Sequence, residues 1–249
     1  MPSLAIVVPC YNEQEVLPET IKRLSALLER LAATHKIDGN SRIYLVDDGS
    51  RDRTWLLVED HAAQGWPIVG IKLSRNRGHQ NALLAGLFAA RGDAIVSIDA
   101  DLQDDVDAIE AMLDHHVAGC DVVYGVRRAR TTDTAFKRLT AVGFYRLMRL
   151  LGAKTIDNHA DFRLLSRRAV ESLKAFGEVN LYLRGIVPML GYPSAIVEYD
   201  RAERFAGETK YPLRRMLSLA LNAVTSFSVV PLRLISLLGL LLSLGTMAV

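Results

Sequence analysis

Cysteine is scarce in this sequence: its 249 residues contain only two, Cys10 and Cys120. Both end or follow apolar runs, which predicts buried thiols in a reduced compartment and excludes a small scaffold held by disulfides. The first residues lack the basic start of a secretory signal and turn polar after eight residues, so we expect no signal peptide.

Several common nucleotide-binding and catalytic motifs are also absent. No G-x-G-x-x-G follows the first apolar run and no G-x-x-x-x-G-K-[ST] occurs, which argues against a Rossmann dinucleotide site and a P-loop. The nucleophile elbow G-x-S-x-G is missing too. His115 and His116 are adjacent, so on a helix they would point about 100° apart and make a poor chelating pair.

The charge is close to balanced overall, at +2, but it is unevenly distributed. Residues 1–126 carry 11 Lys/Arg against 19 Asp/Glu, whereas residues 127–249 carry 19 against 9. We expect the basic second half to face something anionic, such as phosphates or a lipid surface.

Apolar, β-branched runs alternate with helix-like stretches through the first half of the chain. The runs are 4–8, 42–46, 68–73, 94–98 and 121–126, and the stretches are 14–34, 52–63, 79–91 and 106–118. This order predicts βαβ units, and therefore an α/β fold with a mainly parallel sheet and helices on both faces. Polar clusters follow four of the runs, at the carboxyl ends where such sheets bind ligands.

The most acidic of these clusters is "SIDADLQDD" (97–105), with four aspartates in seven positions. A bound cation, helix-start amides or water could compensate this repulsion. Asp99, Asp101 and Gln103 alternate, so in an extended strand end they would share one face. Their oxygens suit Mg²⁺ or Mn²⁺.

A different role is predicted for the last two aspartates of the cluster. Asp104 and Asp105 directly precede the predicted helix 106–118. We expect them to cap its first amides and to meet the positive end of the helix.

The C-terminal sequence changes character. Residues 234–249 carry no charge, and as a helix they would be about 24 Å long against a hydrocarbon core of roughly 30 Å. We expect the truncated start of a transmembrane segment there, after an amphipathic juxtamembrane segment at 212–233. The alternatives are a segment that already starts near Ser226, with Arg233 snorkelling or buried, and a buried core helix. Residues 127–154 form another basic amphipathic stretch, which either lies on a membrane surface or docks on the protein.

Six motifs in order resemble the GT-A glycosyltransferases of the large inverting family 2. Four are "VVPCYNE", "VDDGSRDRT", "LSRNRGHQNALLAGLFAARGD" and "SIDADLQDD". With the apolar C-terminus, "ADFRLLSR" (160–167) and "RFAGETKY" (204–211) narrow the resemblance to polyprenyl-phosphate glycosyltransferases, which include dolichyl-phosphate mannose synthases and bactoprenol glucosyltransferases. The resemblance extends to about residue 235.

The resemblance implies roles for the matching residues. The base and ribose of a nucleotide sugar would be held by Pro9, Tyr11, Glu13 and Asp47. The metal that bridges the donor diphosphate, Mg²⁺ or Mn²⁺, would be bound by Asp99, Asp101 and Gln103. The phosphates of donor and acceptor would be contacted by Arg127, Arg204, Lys210 and Thr209, the last standing where the family often has Ser.

The remaining matches are less specific. Asp161 is the usual base candidate by position, and with Asp101 and Arg127 it completes the predicted catalytic set. We expect Asp161 to orient or tune the site; a structural pairing with Arg163 is the alternative. The resemblance gives no firm role to Arg77 and His79.

We therefore predict a catalytic domain over residues 1–211, with a nucleotide-sugar half (1–126) and an acceptor half (127–211). It would transfer a sugar, with inversion, from a UDP- or GDP-sugar to undecaprenyl or dolichyl phosphate in cell-wall or lipopolysaccharide glycan synthesis. The expected location is the cytoplasmic face of the inner membrane, since Lys210, Arg214 and Arg215 flank the apolar tail.

The predicted partners are the nucleotide sugar, the lipid phosphate and the membrane, but no nucleic acid. Whether the chain forms a homo-oligomer is left open, since the family it resembles includes monomers and tetramers. Two other functions remain open. One is a family 2 transferase with a polysaccharide or other hydroxyl acceptor, although "RMLSLALNAV" lacks the Q-x-x-R-W pattern of processive synthases. The other is an inactive membrane scaffold with the same fold.

Overall fold

The computed structural model describes residues 1–128, 159–176 and 183–202, with five isolated positions between 236 and 246. Seven strands and six helices lie in these ranges. In chain order they are β1 (Leu4–Cys10), α1 (Leu17–Ala33), β2 (Arg42–Asp47), α2 (Thr54–Ala63), β3 (Ile68–Lys72), α3 (His79–Ala89), β4 (Ala94–Ser97), α4 (Ala108–Val117), β5 (Val122–Arg127), β6 (His159–Ser166), α5 (Arg167–Lys174), α6 (Leu183–Met189) and β7 (Ser194–Tyr199).

The seven strands form one sheet in the order β3-β2-β1-β4-β6-β5-β7. Strand β1 pairs in parallel with β2 and β4, β2 with β3, and β5 with β7. Strand β6 runs antiparallel to both its neighbours, β4 and β5. The predicted mainly parallel sheet is confirmed, with one antiparallel strand that the sequence patterns did not predict.

Helices cover both faces of the sheet because its central strands are apolar on both sides. All seven residues of β1 are buried. Its residues Leu4, Ile6 and Val8 join a core cluster that includes apolar side chains of α1 and α4. On the opposite face α3 lies so close that a Cβ at Gly86 would stand 2.3 Å from Cγ1 of Val7.

The chain divides into two compact units. The first comprises Met1–Ala129, Asn158–Leu183 and Leu190–Glu208, and the second comprises Arg130–Asp157, Arg184–Met189 and Thr209–Val249. The first contains the whole sheet. Within the second, the structure describes most of α6 and the five isolated positions.

The membrane predictions fall largely outside the described residues. The segment 212–233 lies wholly outside them, and the segment 234–249 does so apart from the five isolated positions. The basic stretch 127–154 is described only at its first two residues. Among the described residues, no helix combines the length and the apolar character needed to cross a bilayer.

The contact of α3 with the sheet gives a stability prediction. Gly86→Ala should lower the free energy of unfolding, because the new methyl group meets Val7 and also Cγ2 of Val46 at 2.8 Å. Overpacking of this kind costs about 1–3 kcal/mol, and the better helix propensity of Ala offsets about 1 kcal/mol of it. Urea unfolding of the variant and the wild type measures the difference.

Gly39→Ala is the matched control, because a Cβ there meets nothing within 4 Å. It should unfold at nearly the wild-type urea concentration. Equal midpoints for the two variants would contradict the close packing of α3 on the sheet.

Candidate active site

The loops that follow β1 and β2 are cross-linked by hydrogen bonds at the carboxyl edge of the sheet. The backbone N–H of Asn12 donates to Oγ of Ser50 at 2.9 Å, and that of Glu13 donates to Oγ1 of Thr54 at 2.9 Å. Oδ1 of Asn12 in turn accepts from the N–H of Arg51. These bonds fix the loop that carries the predicted nucleotide-binding residues.

The predicted nucleotide-binding residues lie at this edge. Pro9 is buried in β1 opposite Val46, and the half-buried Tyr11 comes directly after the strand. Asp47 ends β2, is fully buried, and accepts from the N–H of Ser50. With Glu13 in the loop after β1, all four lie at the carboxyl ends of the paired strands β1 and β2, and their contact with a base and ribose stays a prediction.

Asp48, which the sequence analysis did not single out, organises the loop before α3. Its carboxylate accepts from the backbone N–H groups of Arg77 at 2.6 Å and Gly78 at 2.9 Å. Next to it, Gly49 has a φ of +68°, and a Cβ there would stand 2.6 Å from the backbone of Arg75. Asp48 thereby places the start of α3 beside the acidic cluster.

The segment after β4 is a turn, so the predicted extended strand end is wrong. Strand β4 ends at Ser97, and Leu102 has a left-handed φ of +57°. The hydroxyl of Thr20 on α1 holds this turn by donating to the carbonyl of Ala100 at 2.8 Å. The alternation that would place Asp99, Asp101 and Gln103 on one face is therefore broken.

Gln103 has other partners in the structure. Its side-chain oxygen accepts from Arg201, and its carbonyl accepts from the N–H of Ala202 at 3.0 Å. Asp101 accepts from the N–H of Gln103 at 3.2 Å. Asp99 and Asp101 remain the candidate metal ligands of this turn, while the amide of Gln103 is bound elsewhere.

The predicted helix-capping role of Asp104 is also wrong. Helix α4 begins at Ala108, and its N-cap residue Asp107 makes no side-chain cap bond. Asp105 accepts from the N–H of Asp107 at 3.0 Å, so it does contact the helix start. Asp104 is instead buried and bonded to Arg127.

His79, at the start of α3, lies between two carboxylates. Its Nε2 is 3.6 Å from Oδ1 of Asp99 and 3.6 Å from Oδ2 of Asp161. Burial raises the pKa of Asp99 to about 6; His79 opposes this rise, and the other nearby carboxylates, Asp104 first, add to it. The negative charge of Asp99 is thus incompletely compensated.

Asp161 is held as a paired carboxylate. Its Oδ1 accepts from Nη2 of Arg163 at 2.6 Å, and this guanidinium is only 1% exposed. Its Oδ2 accepts from Nε2 of Gln80 at 3.3 Å, and Gln80 in turn accepts from the N–H of Leu183. The alternative, a structural pairing with Arg163, is present, while an orienting role of Asp161 and its role as a base stay predictions.

Two carboxylates with hard oxygen atoms fit a divalent cation. Mg²⁺ in particular is held by one or two carboxylates and completes its shell with phosphate oxygens and water. Asp99, half-buried with a raised pKa, and the neighbouring Asp101 form such a pair. In the described ranges no group of three or more His, Cys, Asp or Glu side chains forms a complete protein ligand set.

The remaining predicted residues divide into two groups. Arg127 ends β5 and is bonded to Asp104 and Tyr199. Arg204, Thr209 and Lys210 lie outside the described residues. Sequence reasoning missed the parts played by Asp48, Gln80 and Tyr199; only Asp48, next to Asp47 after a strand, carried a signal that could have identified it.

Comparison with known proteins gives a consistent picture. The model of the family described as Glycosyl transferase family 2 matches residues 5–174. The uncharacterized glycosyltransferase YkoT of Bacillus subtilis is 56% identical over 97% of this chain and 72% of its own length. The prophage bactoprenol glucosyl transferase homolog of Escherichia coli is 39% identical over 96% of this chain and 77% of its own length.

A solved structure has the same fold. Glucosyl-3-phosphoglycerate synthase from Mycobacterium tuberculosis, in complex with Mn²⁺, UDP and phosphoglyceric acid, superposes with a TM-score of 0.59 at 21% identity. The match covers 90% of this chain and 76% of that one. It supports the GT-A-like arrangement of the sheet and helices.

The raised pKa of Asp99 predicts that Asp99→Asn stabilises the metal-free protein at neutral pH. The unfolded carboxyl has a pKa near 3.8, so ionising the folded one costs stability progressively between about pH 4 and 6, and fully above 6. Urea unfolding in EDTA should therefore show the variant more stable than wild type at about pH 7.5 and equal to it near pH 4. Asp105→Asn, at an exposed neighbour, should show no such pH-dependent difference, and a destabilised Asp99→Asn at pH 7.5 would contradict the assignment.

The two amide bonds of Asp48 predict a local effect. Asp48→Ala should accelerate hydrogen exchange at Arg77 and Gly78 by about tenfold or more, since each loses a charged acceptor worth about 1.5 kcal/mol or more. Asp38→Ala is the control, because Asp38 likewise accepts from a backbone N–H, that of Asn40, in a turn elsewhere. Unchanged exchange at Arg77 and Gly78 would show that Asp48 does not hold this loop.

Proposed function

This chain belongs to glycosyl transferase family 2, and from that membership we propose that it transfers a sugar from a nucleotide sugar to a polyprenyl phosphate. The donor is a UDP- or GDP-sugar and the acceptor is undecaprenyl or dolichyl phosphate. The named bactoprenol glucosyl transferase homolog, similar over nearly the whole chain, supports this acceptor.

The observation that carries the choice of acceptor is the environment of Asp161. Both of its oxygens accept hydrogen bonds, one of them from a buried guanidinium. With both oxygens engaged by protein donors, Asp161 is poorly placed to take a proton from an acceptor hydroxyl. A sugar hydroxyl needs a base, whereas a phosphate monoester has a second pKa near 6 and is already largely dianionic at neutral pH. The site therefore favours a phosphate acceptor over a hydroxyl acceptor.

The reaction is a direct displacement. An acceptor phosphate oxygen forms a bond to C1 of the sugar while the bond from C1 to the donor diphosphate breaks, which inverts the anomeric centre and gives a β-linked product from an α-linked donor. The leaving diphosphate gains negative charge as the bond breaks, so positive groups aimed at it accelerate the step.

Different residues of the site serve different parts of this reaction. Pro9, Tyr11, Glu13 and Asp47 hold the base and ribose at the ends of β1 and β2. Asp99 and Asp101 would hold a divalent cation, which would neutralise charge on the diphosphate. Arg127 contacts a phosphate, while Asp161 and His79 orient the groups around the reacting centre.

We propose further that the enzyme works on the cytoplasmic face of the inner membrane. The basic second half and the uncharged sequence of residues 234–249 support this location, with Lys210, Arg214 and Arg215 on the cytoplasmic side.

The proposed activity predicts a metal-dependent transfer to lipid. Membranes containing the protein, given undecaprenyl phosphate and a panel of radiolabelled UDP- and GDP-sugars, should yield label in the lipid extract with at least one donor. EDTA should abolish the label, and Asp101→Asn should reduce it by at least about 100-fold, since Asp101 holds the cation on which charge stabilisation depends.

Asp105→Asn is the matched control, because it removes an exposed carboxylate four positions along the same loop and should keep the wild-type rate. Full activity of Asp101→Asn would remove its assigned role. Label that appears only on a polysaccharide acceptor would replace the lipid phosphate by a hydroxyl acceptor, and no label with any donor and acceptor would indicate an inactive scaffold.

A further inference from the structure

Three side chains from separate parts of the first unit meet beside the acidic turn. Asp104 follows that turn, Arg127 ends β5, and Tyr199 ends β7. Oδ1 of Asp104 accepts from the hydroxyl of Tyr199 at 2.5 Å, from Nη2 of Arg127 at 2.8 Å and from Nε of Arg127 at 3.2 Å. Nε of Arg127 also lies 3.2 Å from the Tyr199 hydroxyl, to which it donates.

The group is fixed by burial as well as by hydrogen bonds. The side chain of Asp104 is fully buried, and the rings of Tyr199 and Phe162 pack in a T-shaped arrangement with centroids 5.2 Å apart. Burial and the charge of Asp104 both raise the pKa of Tyr199, so the hydroxyl stays protonated and keeps donating. Burial lowers the pKa of Arg127, but Asp104 and Tyr199 together more than offset this, so the guanidinium stays charged.

The group of Asp104, Arg127 and Tyr199 is not an efficient way to stabilise the folded protein. Oδ1 takes every hydrogen bond, while Oδ2 of Asp104 is buried and has no hydrogen-bond partner among the residues described. A buried polar atom without a partner costs free energy, and a buried ion pair is often no better than apolar side chains of the same size. The benefit of the group therefore lies in where it places Arg127.

Within the part of the chain that the structure describes, Arg127 has one donor edge without a hydrogen bond. A guanidinium has five N–H donors in a planar fork, and only Nε and Nη2 are bonded within the described part of the chain. The Arg127 side chain is 28% exposed, so it is neither fully buried nor loose in water. A planar fork clamped along one edge can present the other edge to a phosphate.

Asp104, Arg127 and Tyr199 together form a clamp on the guanidinium. This clamp is also close to the turn at which the donor diphosphate is predicted to bind. Asp104 is three residues beyond Asp101, and its charge is near enough to Asp99 to act on it electrostatically. Arg127, 2.8 Å from Asp104, therefore supplies positive charge at the border of the same turn.

We propose that Asp104 and Tyr199 are positioning residues that hold Arg127 against the phosphates of the bound nucleotide sugar. The proposal rests on the proposed function, because it takes a nucleoside diphosphate as the ligand. It assigns a role to two side chains that would otherwise count as structural.

The test compares ligands with and without phosphates. Calorimetry with Mn²⁺ measures binding of UDP, GDP, uridine and guanosine to the full chain. Asp104→Asn should weaken binding of the preferred nucleoside diphosphate by about 10-fold to 100-fold, as expected for a lost charge-assisted hydrogen bond, and should change nucleoside binding by less than about twofold. Arg127→Gln should have a similar effect, and the double variant should bind no more weakly than Arg127→Gln alone.

Two further variants control for folding. Tyr199→Phe keeps the ring on Phe162 but loses the hydroxyl, so it should bind the nucleoside diphosphate about threefold more weakly and tests the clamp even where Asp104→Asn fails to fold. Asp105→Asn should bind like wild type. Thermal unfolding of each variant separates lost stability from lost affinity.

The results that would contradict the clamp differ from the result that would contradict the proposed function. Additive effects of Asp104→Asn and Arg127→Gln, equal losses for nucleoside and nucleoside diphosphate, or lower thermal stability with unchanged affinity would each overturn the clamp. A wild-type protein that binds neither UDP nor GDP would instead overturn the proposed function, and the clamp with it.

Discussion

Repulsion among carboxylates at one edge of the sheet is the constraint on which the rest of this site depends. Parallel strands end at a common edge, so the aspartates that follow β2 and β4 are brought together by topology. Each must be compensated within a few ångströms or remain costly. In the structure, backbone amides or guanidinium groups compensate the negative charge of most of these aspartates. The kind of group that does so indicates the role of each aspartate.

The compensations differ in kind. Backbone amides serve Asp47 and Asp48, which orders the loops around them. Guanidinium groups serve Asp104 and Asp161: Arg127 ties the acidic turn to β5, whereas Arg163 pairs with Asp161 within β6 itself. Among the described residues Asp99 has His79 at 3.6 Å as its charged partner, and burial, with the neighbouring carboxylates, still raises its pKa. A cation bound there together with a diphosphate would supply the positive charge that the protein does not provide for Asp99.

The regular part of the fold was predictable because it follows from local patterns. The five apolar runs became β1 to β5, and the four helix-like stretches became α1 to α4, with ends that moved by at most three residues. Strand β6 was missed because Asp161 and Arg163 interrupt its apolar pattern; their mutual ion pair, which makes burial tolerable, is not visible in a hydrophobic pattern.

The details of the site were less predictable for a related reason. Asp104 and Asp105 are chemically identical neighbours, and the sequence offers no local difference between them. The left-handed Leu102 and the distant partners Arg127 and Tyr199 decide that Asp104 turns inward while Asp105 stays at the helix start. Partners from β5 and β7 are set by strand order, which local patterns do not contain.

The same long-range partners explain why so much charge can be buried near a reacting centre. Water would solvate each carboxylate well but would reorganise around a developing charge, whereas groups held by β5, β6 and β7 are already oriented. Arg163 is locked by its strand register opposite Ser97, and Arg127 is locked by Asp104 and Tyr199. The sheet therefore does more than gather the aspartates. Its strand order brings Arg127, at the start of the second half of the chain, to Asp104 in the first half, while β6 carries both Asp161 and Arg163.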